Sequence, residues 1–163
     1  ASAFNQPLSL DTSRVTSMAG MFQGALAFNQ PLGFDTSSVT DMRGMFNGFM
    51  WREPSAFNQP LSLNTSSVTD MASMFRYSMF NQPLSFDTSR VTTMAYMFND
   101  AYAFNQPLSF DTSSVTSMQY MFQGAYKFNQ SLSFNTSGVP YMQYMFQDAH
   151  AFNQPLSFDT SSV

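Results

Sequence analysis

Apolar and polar residues recur along this chain in one pattern, written several times over. The triplet Phe-Asn-Gln begins at Phe4, Phe28, Phe57, Phe80, Phe104, Phe128 and Phe152, at steps of 24, 29, 23, 24, 24 and 24 residues. The commonest unit reads F-N-Q-P-L-S-F-D-T-S-S-V-T-x-M-x-x-M-F-x-x-A-x-x. Two shorter periods are nested inside it. Leu84, Phe86 and Thr88 alternate with Ser85, Asp87 and Ser89, which predicts a short strand with the first three facing in and the others out. Met118, Met121, Phe122 and Ala125 stand at i, i+3, i+4 and i+7, which predicts one face of a helix of about two turns. A Thr precedes the first Met by two residues (Thr16, Thr40, Thr69, Thr92, Thr116), where it would cap that helix. Pro140 takes the same place in the sixth unit, as a helix start permits. Gly24, Gly48 and Gly124 stand near the expected helix end, where a left-handed residue is often needed.

Periods of 20 to 30 residues belong to stacked-coil architectures in which each unit packs on its neighbours. The expectation is therefore an α/β solenoid: residues 1–163 as a single array of about seven 24-residue coils, with one parallel β-sheet and short helices on the other side. Seven strands at ~4.8 Å spacing would make a sheet roughly 30 to 35 Å long. Columns of Phe, Met, Leu and Val would form the core. Phe104, Leu108, Met118, Met121 and Phe122 should be buried, and Asp111 exposed.

Composition narrows the chemistry. Only 10% of the 163 residues are charged, the net charge is -4 and the pI is about 4.5, which argues against a nucleic-acid partner held through phosphates. The absence of cysteine excludes disulfides, thiolate metal sites and cysteine nucleophiles, and one histidine leaves little for a metal cluster or a proton relay. No stretch approaches the ~20 apolar residues of a membrane span, and no signal peptide is visible in these residues. The 19 Phe and 14 Met are explained by the repeat, since only Phe49, Met50 and Met79 fall off its positions.

Units of this form resemble the bacterial surface protein A type of leucine-rich-like repeat, most closely the branch of unknown function found in mycoplasma surface lipoproteins and in microalgae. The resemblance covers nearly the whole chain. It implies a leucine-rich-repeat-like stack and, in general, surface exposure, adhesion or protein binding. It brings no catalytic motif, so no functional residue is carried over from it. The family's usual strand, L-x-x-W-D-V-S, is one residue shorter here, as L-S-F-D-T-S.

Several columns could carry chemistry. Asn5, Asn29, Asn58, Asn81, Asn105, Asn129 and Asn153 recur at each coil corner, where they would bond turn backbone and the next coil. Asp11, Asp35, Asn64, Asp87, Asp111, Asn135 and Asp159 form an outward column about 5 Å apart. It reads as a solvated face; polar-ligand or cation contact, or a glycosidase-like carboxylate pair, are the alternatives. Thr12, Thr36, Thr65, Thr88, Thr112, Thr136 and Thr160 face inward in this register. Shifted by one residue, they would face out as the kind of ladder ice binders use. No phosphate-binding glycine loop and no Ser-His-Asp set occurs.

In an array the repeated residues build the scaffold and the departures mark the working surface. The five-residue insertion between Phe46 and Phe57 holds Trp51 and Arg52, residue types that anchor protein contacts. One column changes from Gly20, Gly44 and Ser73 to Tyr96, Tyr120 and Tyr144, and a second holds Tyr102, Tyr126 and His150. These eight residues are the candidate partner-binding set. Asn64 and Asn135 lie in outward sequons and are candidate N-glycosylation sites. Asn129, in a third sequon, belongs to the corner column and should be protected.

The reading is a non-enzymatic protein-interaction or adhesion scaffold, extracellular or at a cell surface, with no catalytic, cofactor or metal residues. Its partner would be a protein or neighbouring subunit, with glycan contact as a further option. A flat-lattice (ice or mineral) binder and a carbohydrate-binding or carbohydrate-active array are the alternatives. Neither end shows a polar capping unit, so a longer array within a larger assembly is also expected.

Overall fold

The computed structural model describes residues 2–49 and 53–163. Successive units lie one on another as coils, and the coil is built of tight turns. A first turn closes from Thr12 to Val15, with the Val15 N–H donating to the Thr12 carbonyl at 3.0 Å, and its equivalent recurs in every unit down to Val163 and Thr160. A second and a third run Met18–Met21 and Phe22–Ala25, and a fourth closes Ala25–Phe28.

This overturns the expected α/β solenoid. Among the described residues there is no α-helix and no continuous sheet. Over Met18–Ala25 the N–H groups of Met21, Gln23 and Ala25 bond three residues back, to Met18, Gly20 and Phe22. Those of Met18, Gly20, Phe22 and Gly24 leave the coil and reach Asp41, Arg43, Met45 and Asn47 of the next one at 2.8–2.9 Å. A helix would direct all of them to i-4 carbonyls of its own turn. In five of the six Met-Phe segments the backbone is also left-handed at two positions four residues apart, with φ of +63° at Gly20 and +67° at Gly24, and of +60° at Tyr96 and +51° at Asp100. An α-helix of L-residues does not accept that conformation, whereas the third residue of a type II turn requires it. Two consecutive turns bury i, i+3, i+4 and i+7 as a helix does, so the hydrophobic spacing alone did not separate the two. A two-turn helix gains few hydrogen bonds for its nucleation cost; here a neighbouring coil supplies a partner for each axial N–H. The Thr16 column is not a helix cap: Thr40, Thr69, Thr92 and Thr116 each donate through N–H and Oγ1 to the preceding Thr carbonyl.

Among the described residues backbone pairing is confined to isolated bridges: parallel ones that step from Ser17 to Asp41, Asp70, Thr93, Ser117 and Tyr141, a parallel one between Ser55 and Ser78, and an antiparallel one between Phe49 and Glu53. The Leu-x-Phe-x-Thr segment keeps the expected alternation, with Leu84, Phe86 and Thr88 buried and Ser85, Asp87 and Ser89 exposed, but it forms no ladder. Six of the seven Phe-Asn-Gln triplets are followed by a proline, which has no N–H to give a ladder. Side chains bridge the coils instead. Asn29 Oδ1 accepts the Asn58 N–H at 2.9 Å and Gln59 Nε2 at 3.2 Å. Thr88 Oγ1 donates to the Asp111 carbonyl at 2.9 Å, as the equivalent Thr does from Thr36 to Thr136. The structural role expected of the Asn column holds. Because the Thr12 column is buried from Thr12 to Thr136, it forms no outward ladder for ice.

The core is a double file of phenylalanine. Phe22, Phe46, Phe75, Phe98, Phe122 and Phe146 stack at 5.5–5.7 Å along one column. The Phe-Asn-Gln rings interleave with them at 4.0–4.4 Å. Phe104, Met118, Met121 and Phe122 are fully buried, Leu108 nearly so, and Asp111 is exposed. Burial weakens in the outermost coils: Phe4, Leu8, Phe152 and Phe158 are partly buried, and Leu156 is 42% exposed.

Replacing Asn105 by Ala should cost about 1–2 kcal/mol, because it removes the acceptor of the half-buried Asn129 N–H and of Gln130 Nε2. Chemical denaturation of the variant against the native chain measures this. A change within a few tenths of a kcal/mol would show that the corner bonds are dispensable.

Candidate functional site

The aspartate column is exposed along its length. Its local geometry is a side-chain turn: Asp87 Oδ1 accepts both the backbone N–H of Ser89 at 3.1 Å and its hydroxyl at 2.7 Å. The serine hydroxyl, and then its amide, hold the carboxyls of Asp11, Asp35, Asp87 and Asp111 below the usual range. At Asp159 the amide contributes most. Glycoside hydrolysis needs one carboxyl held protonated as general acid, and this column supplies none. Among the described residues no group of three His, Cys, Asp or Glu is placed to hold a metal ion.

The lowered pKa values carry a pH dependence. A carboxyl whose pKa is lower folded than unfolded adds stability above its unfolded pKa, and that contribution is lost as pH falls through the folded value. Acid loss of stability should therefore set in below about pH 4. Replacing Asp11, Asp35, Asp87, Asp111 and Asp159 by Asn, the residue already present at Asn64 and Asn135, should flatten the acid limb without altering the fold. Denaturation midpoints at neutral and acid pH test this, and an unchanged acid limb would contradict it.

The second face is aromatic. Tyr96 and Tyr120 stack at 4.7 Å, and Tyr120 and Tyr144 at 5.0 Å. The guanidinium of Arg76 closes the Tyr96 end, 4.9 Å from the ring centroid, while its Nε donates to Asn99 Oδ1 at 2.7 Å. Tyr102, Tyr126 and His150 form a parallel file at 5.9 and 5.5 Å. Burial first, and neighbouring charge second, push the hydroxyls of Tyr102 and Tyr120 up, so both remain protonated at neutral pH. Amide ladders run alongside: Asn99 Nδ2 donates to Gln123 Oε1 at 3.1 Å, and Gln123 Nε2 to Gln147 Oε1 at 3.0 Å.

Tyr96, Tyr120 and Tyr144 adopt φ of +60°, +58° and +58°. A side chain in that region costs roughly 1–2 kcal/mol relative to right-handed backbone, and glycine, which occupies the column at Gly20 and Gly44, avoids the cost. Sequence reasoning placed these tyrosines together but took the column for a helix face and missed its left-handed backbone. The glycines in the same register were the available signal. It also missed the Arg76 closure, which is a departure confined to one unit.

The other candidates are placed as follows. Trp51 and Arg52 lie outside the described residues. Of the same insertion, Phe49 is 55% exposed and its N–H reaches the Glu53 carbonyl at 3.4 Å. His150 is exposed on the end of its aromatic file. Asn64 and Asn135 are exposed, with their Oδ1 atoms taken by Ser66 and Ser137. Asn129 is half-buried, its Oδ1 accepting from Asn153 and Gln154.

The stacked turns and the columns they display define a tandem-repeat protein. The chain belongs to the family described as mycoplasma protein of unknown function, DUF285, whose model matches residues 1–61, 48–109 and 85–163. No curated protein and no solved structure matches it. Among the described residues no helix is long and apolar enough to cross a membrane.

Proposed function

We propose that the chain is a non-enzymatic interaction scaffold that works at a cell surface and holds a protein partner through its tyrosine face. One observation carries the reading: three tyrosines occupy left-handed backbone where glycine would be less strained. Strain kept at a column that is half-buried at Tyr96 and Tyr120 and exposed at Tyr144 is the mark of positions selected for something other than stability. Tyrosine also suits recognition, since a large rigid ring loses little entropy when it is covered. The resemblance of the unit to leucine-rich-like repeats of bacterial surface proteins supports the location and the adhesive role.

The test compares the native chain with Y96G/Y120G/Y144G. The glycines fit the backbone, so the fold should survive. Cross-linking on intact cells of the source organism, followed by mass spectrometry, should join the native chain to a defined surface protein and the variant to none. Equal cross-linking of both chains would overturn the assignment of this face. Chain found only after the cells are permeabilised would overturn the location.

A further inference from the structure

The tyrosine face differs in relief between its two halves. In the first three coils the column position is Gly20, Gly44 and Ser73, and a concavity of about 340 Å³ opens there, walled by Ala19, Gln23, Arg43 and Asn47. In the next three coils the same position carries the stacked rings of Tyr96, Tyr120 and Tyr144. One half is a trough and the other a ridge. Both follow the same coil repeat, so they have the same length and the same spacing.

A two-fold axis lying in the face, across the stack and between the third and fourth coils, turns a second copy over. Each column then meets itself running backwards, as an isologous interface requires. Tyr144 comes to lie over Gly20, Tyr120 over Gly44 and Tyr96 over Ser73. In the flanking columns Arg43 meets Gln119, Gln23 meets Gln147, and Asn47 meets Gln123. The charges are compatible as well. Asp41 meets Ser117, Asp70 meets Thr93, Asp148 meets Gly24 with the Phe49 ring that lies over it, and Arg76 meets Asn99 beside Asp100, so no two carboxylates are opposed. A parallel pairing would set ridge against ridge.

We propose that the occupant of the trough is the tyrosine ridge of a second copy of this chain, docked antiparallel so that both ridges are buried at once. The proposal rests on the interaction reading of the same face and adds self-association to it. Tyr144 is exposed while Tyr96 and Tyr120 are half-buried in their own stack, so each chain offers well under three full rings of ~150–250 Å², which puts the contact in the weak, transient class below about 1,200 Å². A reversible dimer is expected rather than a permanent one.

Sedimentation equilibrium of the 163-residue chain, from micromolar to near-millimolar concentration, should show a monomer–dimer equilibrium. A ridge-only chain, G20Y/G44Y/S73Y, and a trough-only chain, Y96G/Y120G/Y144G, should each stay monomeric. Mixed in equal amounts, they should form a heterodimer. Both use residues that the fold already holds at that backbone conformation, and circular dichroism checks that each variant is folded. The single change Gly44→Tyr, which should weaken the dimer at least tenfold, covers the case in which a triple variant does not fold. A native chain that stays monomeric, a ridge-only or trough-only chain that still dimerises, or a mixture that does not pair would overturn the proposal. These outcomes are separate from the cell-surface result: a monomer that still cross-links selectively removes only the second copy, and a dimer without selective cross-linking removes only the other partner.

Discussion

Replacing Phe122 by Ala should cost about 3–5 kcal/mol, the range for emptying a fully buried aromatic site. Phe122 is fully buried and stacks on Phe98 at 5.6 Å, Phe128 at 4.2 Å and Phe146 at 5.6 Å, and Phe128 continues the pile to Phe104 at 6.0 Å. Three of those are direct, and each aromatic pair adds about 0.5–1.5 kcal/mol beyond area burial. The rings above and below are fixed by backbone bonds between coils, so the cavity cannot readily collapse. The loss should also be cooperative, because each coil is stabilised mainly by its neighbours. Urea titration gives the magnitude, and a loss below about 1 kcal/mol would show that the phenylalanine files are not the main source of stability.

Replacing Gly48 by Ala should cost about 3 kcal/mol, at the upper end of overpacking effects. Gly48 does not share the left-handed φ of the other column glycines. Its constraint is space: a Cβ built there would come 2.1 Å from the Tyr77 carbonyl oxygen and 2.8 Å from the Ser55 nitrogen. Those atoms hydrogen-bond each other at 2.9 Å and form the bridge by which the chain re-enters the stack after its insertion. Both are backbone, so neither can swing aside as a side chain would. The second and third coils must separate or the bridge must open. Thermal melting measures the loss, and faster hydrogen exchange at Ser55 and Met79 would localise it. By contrast, Gly44→Ala meets only Asn47 Cβ at 3.7 Å and should pay mainly for its backbone conformation.

The repeat period, the inward set and the outward set were legible in the residues. Phe104, Met118 and Phe122 fall on spacings that only a buried face explains, and Asp111 on one that only an exposed face does. The Asn105 corner was legible too, because a polar residue fixed in every unit beside a tight turn must serve its backbone. The aromatic column could be assembled by counting in register from Tyr96 to Tyr144. What could not be read was the conformation of Met-x-x-Met-Phe-x-x-Ala. A helix and a pair of turns bury the same residues, and the choice depends on where the N–H groups of Met18, Gly20, Phe22 and Gly24 find acceptors.

The sequence by itself therefore determined that the chain stacks on itself every 24 residues, which side chains fill the core, and which columns vary. These follow from periodicity, and periodicity is a property of the chain alone. Only the tertiary structure decided that the coil is made of turns, with no helix or sheet among the described residues, that the tyrosines sit on left-handed backbone, and that a trough occupies one half of the column and a ridge the other. Each of these depends on a partner one coil away. A carbonyl of the next coil takes the N–H that a helix would have kept, the ring above holds the ring below, and a missing side chain becomes a trough only when its neighbours are missing too.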